Sequence, residues 1–172
     1  MRAHYFRAMD ALHKACLFAA GLCLVVITII IPYGVFTRYV LNSAASWPEP
    51  MAILLMIVLS FASAVVCYRE YLHIGVGILP GLLSGVPKAI LGWLIEICML
   101  GTNLFMLWYG TKLVQAMWYQ SIAEFPLVSV GVSYLPVPIG GGITVLFVIE
   151  RLLKQDFFRE PSAEAVSAVS TE

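Results

Sequence analysis

The chain has 172 residues, of which 61% are hydrophobic and only 12% charged, about half the charge of an ordinary soluble domain. Mean hydropathy is +0.92, so too little polar surface exists to disperse a soluble globule, and an integral membrane protein follows. Ten basic residues balance ten acidic ones. No electrostatic footprint for nucleic acid remains.

The elements follow from where charge is absent. There are 23 uncharged residues between Lys14 and Arg38 and 19 between Glu49 and Arg69. A further 23, interrupted only by Glu96, separate Lys88 from Lys112, and 25 separate Glu124 from Glu150. About 20 mostly apolar residues cross a hydrocarbon core of about 30 Å. Runs such as Leu24 to Ile31 show no alternation of apolar and polar residues, which excludes barrel strands. The expected fold is an all-α integral membrane protein with four transmembrane helices, about 15–37, 50–68, 89–111 and 129–150. They form one domain over 1–160, followed by a disordered tail over 161–172.

The first span is too long for the apolar part of a signal peptide, and no small-residue cleavage motif follows it, so it is read as a retained helix. The first loop is short, making helices 1 and 2 antiparallel neighbours. Ser46-Trp47-Pro48-Glu49 fits a capping box, but Pro50 removes another donor, which leaves Trp47 as the alternative cap. The stretch 70–87 is apolar yet broken by Pro80, Pro87 and glycines. It reads either as an in-plane interfacial segment or as a loop packed under its own bundle. Residues 125–130 read as the entry to the fourth helix. Pro136, Pro138 and Gly140-Gly141-Gly142 lie in its first half, the prolines as kinks and the glycines as a thin surface for close approach. Eight basic residues flank the ends shared with the termini and two the other ends. Both termini are therefore expected in the cytoplasm.

Candidate chemistry is sparse. Cys16, Cys23, Cys67 and Cys98 contain no C-x-x-C pair and read as small buried hydrophobes. His4, His13 and His73 lie outside the helix cores, which excludes axial haem ligation, and their spacing matches no metal motif. No cofactor, metal or catalytic constellation is expected. Glu96 is the one acid inside a span. With Gly92 and Asn103 it falls on one helical face, as a contact to a neighbouring helix or as a proton site.

Arg38 closing helix 1, then Trp47-Pro48-Glu49, then Tyr68-Arg69-Glu70-Tyr71-Leu72-His73-Ile74, then Leu135-Pro136-Val137-Pro138-Ile139-Gly140-Gly141 form an ordered series. Over about residues 15–153 the chain resembles the small membrane subunit, DctQ type, of tripartite ATP-independent periplasmic (TRAP) transporters. Pro50 stands where that family often has a second acid, and Gly77 where it often has Asp. The resemblance implies a non-enzymatic, multi-pass subunit of the bacterial inner membrane in a sodium-driven organic-acid transporter. It would scaffold a large membrane subunit (DctM type). It would also offer part of the docking surface for a periplasmic substrate-binding protein (DctP type), with membrane lipids as further partners. Arg38, Trp47, Glu49 and His73 are the family-matching positions. Arg38 and Glu49 bracket one short loop and are expected either to pair across it or to act as interfacial anchors. Glu96 is added as a helix-contact residue. The competing reading is an autonomous proton-coupled four-helix carrier using Glu96.

Overall fold

The computed structural model describes residues 2–43, 45–70, 86–123 and 125–154. Its helices are α1 (Arg2–Tyr39), α2 (Pro48–Arg69), α3 (Val86–Met117), α4 (Val130–Tyr134) and α5 (Pro136–Lys154). Four spans are long and apolar enough to cross a membrane, the last of them formed by α4 and α5 together.

The helices run past the expected bounds because a charge ends an apolar run without ending a helix. In α1, Arg2 to Lys14 continue the same helix below the apolar stretch. Its 38 residues span about 57 Å at 1.5 Å per residue, against about 30 Å of hydrocarbon. The 32 residues of α3 span about 48 Å. Polar ends are free to stand in water while the middle stays in lipid.

Two short strands interrupt the all-α expectation. β1 (Ser121–Ile122) pairs antiparallel with β2 (Phe125–Ser129) between α3 and α4. The entry segment thus forms a small hairpin. Ser129 then caps α4: its Oγ accepts from the Gly131 N–H at 3.0 Å and donates to the Trp118 carbonyl. The fourth span is not one helix, because a turn at Leu135 divides α4 from α5, which opens on Pro136. The capping box at α2 does not form either. Trp47 occupies the cap position in helical geometry with no side-chain cap, and Pro48 lies in the first turn, where a missing N–H costs little.

The helices pack in the order α1, α2, α5, α3, each chiefly against the next. The chain therefore folds as a row more than a square bundle. The glycine run of α5 makes the middle of that row possible. A Cβ on Gly140 would meet the Phe61 ring of α2 at 3.2 Å, and one on Gly141 would meet the Asn103 carbonyl of α3 at 3.0 Å. The two sides of α5 thus seat against two different helices. On α3, Gly92, Glu96, Asn103, Gly110 and Val114 are buried and form one seam at helical spacing.

Among the described residues α1 meets α5 near one end, here called basal, which carries the start of α1, the end of α2, the start of α3 and the end of α5. There the Tyr5 hydroxyl donates to the Leu146 carbonyl at 2.9 Å. Met9, Cys16, Val65, Val66, Tyr68, Phe147 and Val148 form the buried apolar cluster just above. The opposite, apical end carries the 40–47 loop and the hairpin. The expected in-plane segment at 70–87 and the 161–172 tail lie outside the described residues, apart from Glu70, which caps α2, and 86–87, which open α3.

Candidate functional site

The charged residues at the basal end bring all four spans together. Glu96 of α3 is 1% exposed. Its Oε2 accepts from the Tyr68 hydroxyl of α2, and its Oε1 accepts from Arg151 Nη1 of α5 at 2.9 Å. Arg151 also donates to the Tyr68 carbonyl, and its guanidinium lies 4.2 Å from the centre of the Tyr68 ring. One arginine thus grips a residue of α2 by backbone and ring, and the acid of α3 by charge. Cation–π and charge-assisted bonds of this kind gain strength where water is excluded.

A second set lies beside it. Arg69 of α2 donates to both carboxylate oxygens of Glu150 on α5 at 3.2 Å each, and pairs with Asp10 of α1 at 2.5 Å. Lys154 adds a bond to Glu150 at 2.7 Å, one turn along α5. Glu150 is itself buried, and two cations surround it. His13 of α1 approaches Glu70 at the end of α2 at 3.1 Å. The 23 uncharged residues after Lys14 fill the hydrocarbon thickness. Asp10 therefore stands about one turn outside it, and the Arg69 set lies near the membrane–water boundary, with Glu96 on its inner side. There ion pairs are affordable, and interfering water is partly excluded.

The apical end is looser. Arg38 lies in the last turn of α1 and Glu49 in the first turn of α2, each at the helix end whose dipole favours its sign. Their nearest approach is 3.8 Å, and their side chains are 58% and 79% exposed. Trp47 packs its ring 5.7 Å from that of Tyr33, laying the loop back on α1. His73 lies outside the described residues.

Glu96, Arg38 and Glu49 are legible in the sequence as candidates; the convergence of Tyr68, Arg69, Glu150, Arg151, Lys154 and Asp10 into one polar cluster is not. The available signal was the adjacent opposite charges Arg69-Glu70 and Glu150-Arg151 at two span ends. Only the basic member of each pair bears on orientation. Asn103, the other polar member of the seam, turns back to donate to the Met99 carbonyl of its own helix at 2.8 Å. Among the described residues no group of His, Cys, Asp and Glu is arranged to hold a metal ion.

Compared with known families, the chain matches the model described as tripartite ATP-independent periplasmic transporters, DctQ component, over residues 27–157. The match covers most of the chain, including every residue of the Glu96 and Glu150 clusters except Asp10. No curated protein matches.

Proposed function

The chain belongs to the DctQ family of TRAP transporter components, and from that premise we propose that it is the small permease subunit of a sodium-driven importer of organic acids. It sits in the bacterial inner membrane with both termini in the cytoplasm. It braces the static part of a large DctM-type subunit, and its apical loops contribute to the surface where a DctP-type binding protein docks. The family is one of transporter components and not of enzymes.

The observation that carries the scaffold reading is the basal clamp. A proton-coupled carrier needs an acid that exchanges protons along a pathway. Glu96 instead engages Tyr68 and Arg151 with almost no exposure, which is the arrangement of a fixed joint. The same joint leaves α3 with exposed Trp93, Ile97, Phe105 and Trp108, an apolar surface suited to lipid or a large membrane partner.

The test is co-expression with a candidate large subunit, with the tag on this chain only, followed by mild-detergent size exclusion and an uptake assay. A one-to-one complex, and uptake that is lost on deleting this chain, are expected. Transport by liposomes holding this chain alone, lost in Glu96→Gln, would overturn the reading in favour of the autonomous carrier.

A further inference from the structure

A groove opens between α1 and α2 at the apical end, away from the basal clamp. Its volume is about 360 Å³. Ile31, Gly34, Ile53 and Met56 contribute its apolar lining, and Arg38 and Glu49 stand at its rim. Gly34 permits the close packing at its edge, since a Cβ there would meet the Pro48 Cβ at 3.1 Å.

Depth, charge and size together narrow the occupant. Arg38 ends the long uncharged run of α1, so the rim lies at the membrane–water boundary and the lining lies in hydrocarbon. Tyr33 and Trp47, neighbours in sequence of the lining residues Gly34 and Pro48 and with ring centres 5.7 Å apart, are aromatic residues typical of that level. The rim carries one cation and one anion, and their 3.8 Å separation is well beyond the roughly 2.7–2.9 Å of a made charge-assisted bond. Each therefore keeps capacity for an outside partner of opposite sign. A space of this size, open along one side, takes a single flexible chain lying between the two helices.

We propose that this groove binds one zwitterionic phospholipid with a primary-amine headgroup, of the phosphatidylethanolamine type. An acyl chain lies along Ile31, Ile53 and Met56, the phosphate meets the Arg38 guanidinium, and the ammonium meets the Glu49 carboxylate. The bound lipid ties α1 to α2 where their direct ion pair is loose.

The test is native mass spectrometry of the full chain, purified in mild detergent together with its large subunit where the two associate. It is challenged with equimolar phosphatidylethanolamine, phosphatidylcholine and phosphatidylglycerol. One phosphatidylethanolamine per copy is expected, at about tenfold the occupancy of phosphatidylglycerol, whose headgroup offers no cation to Glu49. Glu49→Gln should erase that preference while a phospholipid still binds. Arg38→Gln should lower all three lipids about tenfold. Ile53→Trp, at a half-exposed position, should displace the lipid while far-UV circular dichroism and elution volume stay unchanged. Ile90→Trp on α3 should do nothing to binding. Occupancy by phosphatidylcholine or phosphatidylglycerol equal to that of phosphatidylethanolamine, or indifference to Ile53→Trp, would overturn the proposal. So would an Ile53→Cys chain that crosslinks to the large subunit in place of lipid protection.

Discussion

Replacing Glu96 tests the clamp directly. Glu96→Leu removes two bonds at once, one from the Tyr68 hydroxyl and one from Arg151. Hydrogen bonds between membrane helices average about 0.6 kcal/mol with a maximum near 1.7. Removing one partner of a buried ion pair costs about 3–5 kcal/mol. Glu96 is 2% and Arg151 11% exposed by side chain, so water cannot fully replace the lost carboxylate, yet the boundary position leaves Arg151 able to shift outward. The expected cost for Glu96→Leu is therefore about 3 kcal/mol, at the lower edge of the buried-pair range. Glu96→Gln keeps the shape and one acceptor oxygen, and should cost about 1 kcal/mol. The assay is reversible unfolding of the purified chain in mixed micelles, followed by far-UV circular dichroism. A cycle with Arg151→Met isolates the pair, with a coupling of at least about 1.5 kcal/mol expected. A cost below about 1 kcal/mol for Glu96→Leu, or additive effects in the cycle, would refute the clamp.

Other outcomes follow from neighbouring geometry. Arg69→Met, which strips charge partners from both Asp10 and Glu150, should destabilise by at least about 2 kcal/mol more than Asp10→Asn, because Glu150 is buried and Asp10 mostly exposed; equal effects in the same unfolding assay would contradict this. Gly141→Ala drives a Cβ to 3.0 Å from the Asn103 carbonyl and should cost about 1–3 kcal/mol. Gly101→Ala meets nothing within 4 Å and should be neutral or stabilise by up to about 1 kcal/mol; the two measured side by side check the packing of α5 on α3. Arg38→Gln should change unfolding in lipid-free detergent by less than about 1 kcal/mol, since its partner is distant and both groups are solvated. A larger loss there would mean the direct pair is stronger than its geometry allows.

Four spans, their order and the family were legible in the sequence, because lipid imposes one constraint, a long uncharged apolar stretch, that survives in any tertiary context. The seam of Gly92, Glu96 and Asn103 was legible too, since helical spacing alone puts those residues on one face. Tertiary structure decided which helices touch. The order α1, α2, α5, α3 depends on how each glycine of α5 meets a particular neighbour, and periodicity carries no such pairing information. Tertiary structure also decided what the boundary charges do. In sequence, Asp10, Arg69, Glu150 and Arg151 are only markers of where apolar runs stop; a charge near a span end has the same signature whether it faces water or a partner. Only the convergence of four helix ends at one level turns those markers into a joint, because an ion pair needs two side chains within a few ångströms and the chain separates these by scores of residues.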